Sequence, residues 1–137
     1  IKERGLVNRC ILTGWQEDVS SIFPLLEVFV LSSLNEAVGM VLIEAQMMRI
    51  PVVATAVGGI PEIIQHQKTG LLVPPADAHA LSRAVITLLG DTGYAQRLAE
   101  EGQRHIQERF SLAKMVEQTS VLYARLTGNS LGPRVSP

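Results

Sequence analysis

The sequence of 137 residues predicts an α/β fold, in which a parallel β-sheet carries helices on both faces. Short apolar runs rich in β-branched residues alternate with helical segments, and no hairpin turn joins two of these runs. Such an order packs as a parallel sheet with right-handed crossovers. The length fits one domain with a real core. Four strands are expected, at residues 10–13, 28–31, 51–54 and 71–73.

The first half of the chain holds the shorter predicted elements. Gly5 has the position of a left-handed cap after a helix end. Residues 10–13 are expected to form a buried strand that closes at Gly14 and Trp15. Asp18 is expected to cap a short helix. Residues 28–31 are then expected to form a buried parallel strand, because they are continuous and β-branched.

Helices follow the remaining strands. A helix is predicted over residues 40–49, and Pro61 suits the first position of the next. Asp77 is expected to cap a helix through residue 89, and residues 94–109 form another. Ser111 caps a last helix, whose apolar stripe is expected to pack: Met115, Val116, Leu122, Tyr123 and Leu126. The domain therefore covers residues 1–127, and residues 128–137, rich in Gly, Ser and Pro, are expected to be a disordered tail.

The segment after the second strand carries the first candidate site residues. The chain turns polar there, and Glu36 is followed by Gly39 and a helix that begins at Met40. Ligands of open α/β sheets bind just outside the carboxyl ends of the strands. The free backbone amides of a helix N-terminus favour an anion such as a diphosphate. A carboxylate, a glycine and a helix N-terminus therefore meet where a ligand is expected.

Glu44 is the second candidate, because its predicted helix has almost no polar face. A helix that is apolar nearly all round is a buried helix, and an unpaired buried carboxylate is costly. Two carboxylates in one cleft suit a vicinal diol such as a ribose. The alternative is an acidic residue near a helix N-terminus that the helix dipole favours without any ligand. The residues alone leave both interpretations open.

Gly58 and Gly59 follow the third strand. Adjacent glycines permit close approach of the backbone to a ligand, but they also fit a sharp strand-to-helix turn with no ligand. Their place beside the predicted Glu36 turn favours a ligand.

Taken in order, these motifs resemble those of the retaining glycosyltransferases of the GT-B fold, family 4 type (group 1). Seven residues separate Glu36 from Glu44, residues 51–55 are Pro-Val-Val-Ala-Thr, and residues 58–62 are Gly-Gly-Ile-Pro-Glu. The resemblance extends from about residue 10 to residue 123. It implies that the chain is a Rossmann-like, partial C-terminal domain of a GT-B fold, truncated at its N-terminal side.

The resemblance also implies a role for each candidate. Glu36, the catalytic candidate, would contact hydroxyls of the donor sugar, and Glu44 would bind the ribose hydroxyls. The other donor- or nucleotide-binding candidates are Gly39, Met40, Val41, Gly14, Trp15, Gly58 and Gly59. The loop with Trp15 passes near the nucleobase in this family. The ring would either stack on the base or cover the sheet edge, and a lone aromatic more often packs.

The chain departs from the family pattern at two positions. Ala37 stands where a glycine usually follows the first glutamate, and Val38 stands where an aromatic is usual. Both carboxylates are retained, but these changes bear on loop shape and sugar preference. The family also places a Gly-Arg and a nearby Lys, which hold the diphosphate, upstream of Ile1. We therefore expect the chain to be a fragment that turns over no donor by itself.

Composition excludes several other classes. The chain is 47% hydrophobic with a formal net charge of -1 and no long basic run, so no nucleic-acid partner is expected. The three histidines stand alone, so no metal site is expected. The single Cys10 cannot form an internal disulfide, which favours a reducing, cytoplasmic location. No apolar stretch is long enough to span a membrane.

The expected function is transfer of a sugar, with retention, from a nucleotide-diphosphate-sugar donor to a glycan, lipid or small-molecule acceptor. This chain would bind the donor, a UDP- or GDP-sugar, without a further cofactor. The acceptor would bind the N-terminal domain, and peripheral membrane association of the full-length protein stays open. The alternatives are a non-catalytic nucleotide-sugar binding module, a sugar-nucleotide epimerase of the same fold, and a purely structural domain.

Overall fold

A three-stranded parallel sheet lies at the centre of the computed structural model, which describes residues 1–128. Its strands, in spatial order, are β1 (Phe29–Leu31), β2 (Val52–Thr55) and β3 (Leu71–Val73). Phe29 pairs with Val52, and Val53 pairs with Leu71. The predicted parallel α/β fold is confirmed, although with three strands in the described part of the chain where four are predicted.

Residues 10–13 do not form the predicted strand. Ile11 and Leu12 are 89% and 83% exposed, and no strand within residues 1–128 pairs with them. A strand must exchange main-chain hydrogen bonds with a neighbour, and an apolar run does not by itself supply one. β1 is consequently an edge strand of the described sheet, and its central residue Val30 is exposed rather than buried.

The described chain contains five α-helices. They are α1 (Met40–Met47), α2 (Ile60–Ile63), α3 (Ala78–Gly90), α4 (Thr92–Arg109) and α5 (Leu112–Thr127). Two short 3₁₀ helices, Lys2–Arg4 and Phe23–Leu25, precede them. Gly5 ends the first in a left-handed conformation, as predicted.

Side-chain caps account for the helix boundaries after β3. Asp77 and Ser111 each accept a hydrogen bond from the amide three residues on, at 2.8 and 3.2 Å, as predicted. Asp91, which the sequence analysis does not single out, caps α4 in the same way at 2.8 Å. Each side-chain oxygen pairs an amide for which the first helical turn has no partner.

Two local predictions are displaced by a few residues. Asp18 accepts a hydrogen bond from the Ser20 amide at 3.0 Å, but the helix that follows is the 3₁₀ turn at Phe23–Leu25. Pro61 is the second residue of α2 rather than the first.

Alternate residues of β2 face two separate apolar clusters. Val52 and Ala54 lie in a cluster with Leu42 of α1, whereas Val53 lies in a cluster with Leu88 of α3. Successive strand residues point to opposite faces of a sheet. Helices therefore cover both faces, as predicted.

α5 has its predicted cap but not its predicted packing. None of its residues is buried within the described chain. Its large apolar residues are all exposed: Leu112, Met115, Val116, Val121, Leu122, Tyr123 and Leu126. The expectation that this stripe packs is wrong for residues 1–128, because an amphipathic pattern defines a face and not its partner. Gly128 ends α5 with φ 66°, and the rest of the predicted tail lies outside the described residues.

Candidate functional site

The carboxyl ends of β1 and β2 lie side by side. Leu31 pairs with Ala54, so the segments that follow the two strands begin at the same edge of the sheet. These segments are residues 32–39, termed the Glu36 loop, and residues 56–59, which lead into α2. Ligands of α/β sheets bind at this kind of edge.

Gly58 and Gly59 pack against the main chain of the Glu36 loop. A Cβ atom at Gly58 would lie 1.7 Å from the Glu36 carbonyl oxygen, and one at Gly59 would lie 2.4 Å from that of Ala37. The Gly59 amide donates to these two oxygens, at 3.4 and 3.2 Å. Gly58 also has φ 50°, in the left-handed region that favours glycine. The structure thus places the two glycines against the loop, and their contact with a ligand stays a prediction.

Thr55 connects the start of the Glu36 loop to the end of β2. Its hydroxyl donates to the Ser33 carbonyl oxygen at 2.6 Å, and the Leu31 carbonyl oxygen is 3.5 Å away. The Ser33 hydroxyl lies 3.4 Å from Oε2 of Glu36. In the sequence, Thr55 is only the last residue of the motif at residues 51–55 and has no predicted role. A hydroxyl that closes an apolar strand is the signal that identifies it, because a buried hydroxyl needs a partner.

Gly39 brings the Glu36 side chain to the N-terminus of α1. Gly39 is buried and left-handed, with φ 69°, and its carbonyl accepts the Leu42 amide at 2.8 Å. A Cβ atom on Gly39 would lie 3.5 Å from Cγ of Glu36, which places the two residues in contact. The amides of Met40 and Val41 make no hydrogen bond to any described residue. The half-buried Glu36 side chain therefore contacts the residue that precedes these two amides.

Glu44 lies in a different environment, because its side chain is exposed. Met40, Glu44 and Met47 share the exposed face of α1, whose opposite face is buried through Leu42, Ala45 and Gln46. The predicted burial of Glu44 is therefore wrong. An exposed carboxylate keeps its hydration and needs no partner, so burial no longer argues for a ligand. The ligand role of Glu44 rests on the resemblance and on its helix.

Gly14 and Trp15 lie in an irregular segment, residues 10–16, termed the Trp15 segment. The Trp15 side chain is 89% exposed, so it does not cover the sheet edge within the described residues. Gly14 has φ 63°, and a Cβ atom there would meet nothing within 4 Å. The packing role considered for Trp15 is thus not realised in this part of the chain, and stacking on a nucleobase stays a prediction.

Ion pairs lie away from this edge. The two found in residues 1–128 join Arg104 to Glu101 on α4 and Lys114 to Glu117 on α5. Neither involves Glu36 or Glu44.

His105 has a displaced pKa. Burial of the imidazole lowers the pKa of His105 below 6.5, and the positive charges of Arg109 and Lys68 lower it further, whereas Glu108 opposes them. Its Nε2 atom is buried and finds no partner among the described residues. His105 lines a recess with Thr69, which precedes β3 and so lies at the amino edge of the sheet. His105 therefore titrates at the edge of the sheet opposite the Glu36 loop.

Two concave recesses of the described chain are lined by neither Glu36 nor Glu44. One of about 270 Å³ runs along α5, and the recess beside His105 measures about 190 Å³. In the described residues no group of three or more His, Cys, Asp or Glu side chains could hold a metal ion. No helix of the described chain is both long and apolar enough to cross a membrane.

A family model for glycosyl transferases group 1 matches residues 1–105. The chain is also similar to the N-acetyl-alpha-D-glucosaminyl L-malate synthase of Bacillus anthracis, with 32% identity over 123 residues. These residues are 90% of this chain and 32% of the relative. The chain therefore spans about a third of that relative's length.

Two solved structures share the fold. Sucrose-phosphate synthase from Thermosynechococcus elongatus matches with a TM-score of 0.83 and 35% identity, over 93% of this chain and 32% of that protein. HepE of Anabaena in complex with UDP matches with a TM-score of 0.85 and 26% identity, over 90% of this chain and 34% of HepE. HepE has also been solved with UDP-glucose and with UDP and glucose.

Proposed function

The chain belongs to the glycosyl transferases group 1 family, as a C-terminal domain of the GT-B fold, and from this we propose that it binds the donor of a sugar-transfer reaction. The donor we propose is a nucleotide-diphosphate sugar, and the sugar is transferred with retention to a glycan, lipid or small-molecule acceptor. The activity is that of the full-length protein, of which this chain supplies the donor-binding half.

The observation that carries the proposal is the meeting of Glu36 with the N-terminus of α1. The Met40 and Val41 amides have no hydrogen-bond partner within residues 1–128 and lie at the positive end of a helix, where a diphosphate is favoured. Glu36 contacts Gly39, the residue that caps this helix, so a sugar linked to the diphosphate would come within reach of its carboxylate. The complexes of HepE with UDP and UDP-glucose support a nucleotide-sugar donor.

We assign each candidate residue a task in donor binding. Glu36 accepts hydrogen bonds from hydroxyls of the donor sugar, and Glu44 accepts them from the ribose hydroxyls. The amides of Met40 and Val41 stabilise the negative charge that develops on the leaving diphosphate. The Trp15 ring stacks on the nucleobase. Gly14 permits the turn that presents Trp15, and Gly39, Gly58 and Gly59 shape the donor edge.

The proposal requires groups beyond this chain. The basic side chains that neutralise the diphosphate and the residues that bind the acceptor lie in the remainder of the full-length protein, because this chain spans about a third of its matched relative. The isolated 137-residue chain is accordingly inactive. We also propose a cytoplasmic location, for which the single Cys10 is the support.

The test is a Glu36→Gln substitution in the full-length parent protein, with transfer measured on a panel of UDP- and GDP-sugars. Donors are first chosen by the thermal stabilisation they give. The substitution removes a charged hydrogen-bond acceptor and keeps the side-chain shape, so kcat/KM should fall about 10- to 100-fold. The matched control is Glu27→Gln, an exposed carboxylate just before β1, at the opposite edge of the sheet, which should leave kcat/KM unchanged.

Three results would contradict the proposal. Equal activity of the Glu36→Gln and Glu27→Gln proteins would remove Glu36 from the site. Conversion of a donor into a different sugar nucleotide in the absence of any acceptor would identify an epimerase. Stabilisation by donors without any transfer would identify a binding module. Transfer by the isolated 137-residue chain would refute only its predicted inactivity.

A further inference from the structure

The Thr55 hydroxyl has one proton to donate and almost no access to water. Thr55 is 3% exposed. Its hydroxyl lies 2.6 Å from the Ser33 carbonyl oxygen and 3.5 Å from that of Leu31, so Ser33 is the nearer acceptor. A buried hydroxyl and a main-chain carbonyl each need a partner, and here they satisfy one another. The bond joins the end of β2 to the third residue before Glu36.

The Glu36 loop is held at two points, by the last residue of β2 and by the segment that follows it. Thr55 holds Ser33 on one side of the loop, and the Gly59 amide holds the carbonyl oxygens of Glu36 and Ala37 on the other. Leu34 lies between these points and is 73% exposed, so apolar packing does not hold the middle of the loop. The two sets of hydrogen bonds therefore determine where the Glu36 backbone lies.

We infer that Thr55 is a positioning residue for Glu36, which it fixes through the hydrogen bond from its hydroxyl to the Ser33 carbonyl. The role rests on the proposed contact between Glu36 and the donor sugar. Thr55 itself touches neither donor nor diphosphate in this assignment. Loss of its hydroxyl frees the loop at Ser33, and a small displacement of a catalytic group is enough to slow a reaction.

Hydrogen exchange tests the bond without any need for turnover. In the full-length parent, Thr55→Val keeps the shape of the side chain and removes the donor, whereas Thr55→Ser keeps the donor. Exchange of the amides in residues 32–39 should rise about three- to tenfold in the valine variant, as expected for the loss of one hydrogen bond, and stay near the parent rate in the serine variant.

Thr69→Val is the matched control. Thr69 is 1% exposed and its hydroxyl also has a main-chain partner, the Gln65 amide at 2.9 Å, but it lies at the amino edge of the sheet. Its valine variant should destabilise the protein without changing exchange in residues 32–39. Equal changes in the two valine variants, or no change in Thr55→Val, would overturn the inference.

A double-substitution cycle tests the link to Glu36. Thr55→Val should lower kcat/KM about three- to tenfold in the parent and have no further effect in the Glu36→Gln protein, because residues that act as one unit are not additive. Thr55→Ser, which keeps the hydroxyl, should restore kcat/KM to near the parent value. An unchanged effect in the Glu36→Gln background would refute the positioning role alone. If Glu36→Gln itself left transfer intact, the proposed function would fail, whereas the exchange rates would still report on the hydrogen bond.

Discussion

The Glu36 loop and the Trp15 segment are both assigned to the donor, but the chain holds only one of them in place. The loop is fixed by Thr55 and Gly59, residues that follow it by about 20 positions. The hydrogen bonds of the Trp15 segment are local, from Cys10 to Leu6 at 3.1 Å and within residues 13–16. Hydrogen bonds to distant residues of this chain therefore fix the position of Glu36, whereas no such bond within residues 1–128 fixes the position of Trp15.

The difference between the two regions is one of partners and not of composition. Ile11, Leu12 and Trp15 are as apolar as the residues of β2, yet each is more than four-fifths exposed. β2 has a strand on either side and a helix layer on both faces, so each of its groups is paired or packed. Apolar character gains free energy only where a neighbour removes it from water.

The largest expected effect comes from Gly58→Ala in the full-length parent. The new Cβ would lie 1.7 Å from the Glu36 carbonyl oxygen, so the loop must move by more than an ångström. A displacement of that size should lower kcat/KM on the order of 100-fold. Transfer assays on the chosen donor measure the loss, and amide exchange of residues 32–39 reports the movement.

Gly14→Ala sharpens the comparison, because Gly14 is left-handed like Gly58 but has open space around it. The backbone strain is similar in both variants, and only the steric clash differs. We expect Gly14→Ala to cost about 1 kcal/mol of backbone strain and to leave the Glu36 loop undisturbed. Equal increases in amide exchange of residues 32–39 would show that strain, and not contact with Glu36, explains the effect at Gly58.

A smaller effect is expected from Trp15→Ala. The ring packs on nothing within residues 1–128, so the free energy of unfolding of the 137-residue chain should change by less than about 0.5 kcal/mol. In the full-length parent, loss of a stacked ring should raise the Kd for UDP about tenfold. Calorimetric titration measures the Kd, and Trp15→Phe, which keeps an aromatic face, should recover most of the affinity. An unchanged Kd would exclude stacking.

The same contrast explains which parts of the fold could be predicted. β2, β3 and the caps Asp77 and Ser111 depend on local sequence and on neighbours within the chain, and they form where the pattern predicts them. Residues 10–13 and the stripe of α5 have equally clear patterns. They fail as predicted strand and packing face because a pattern specifies what a segment can bury and not what covers it.

The candidate site was predictable to the same degree. The meeting of Glu36 with Gly39 and the helix N-terminus follows from the order of strand, turn and helix. The burial of Glu44 was predicted wrongly. Because α1 is apolar on nearly every side, its sequence does not show which face is exposed to solvent. The hydroxyl of Thr55 could not be assigned a partner from sequence, since Ser33 lies 22 residues away and reaches it only across the sheet.

The smallest expected effect arises at the opposite edge of the sheet, where His105 gives the domain a pH dependence separate from the Glu36 loop. The folded state lowers the pKa of His105 below its ordinary 6.5, through burial first and then through Arg109 and Lys68. As the pH falls below about 6.5, the unfolded chain takes up the proton before the folded chain does. The contribution of His105 to the free energy of unfolding should therefore be fully present above this pH, and it should decline as the pH falls toward the lowered pKa.

His105→Gln should remove this part of the decline, because glutamine does not titrate between pH 7 and pH 5. The measurement is urea unfolding of the parent protein and the variant at several pH values in this interval, with the slope compared between them. His79→Gln, at an exposed position on α3, is the control, and its substitution should leave the slope as it is in the parent. Equal slopes in the parent and the His105→Gln protein would show that burial at this edge does not hold the imidazole neutral. If His105→Gln removes the decline while the KM for donor keeps its pH profile, the pH dependence of stability arises at the amino edge of the sheet and not at the Glu36 loop.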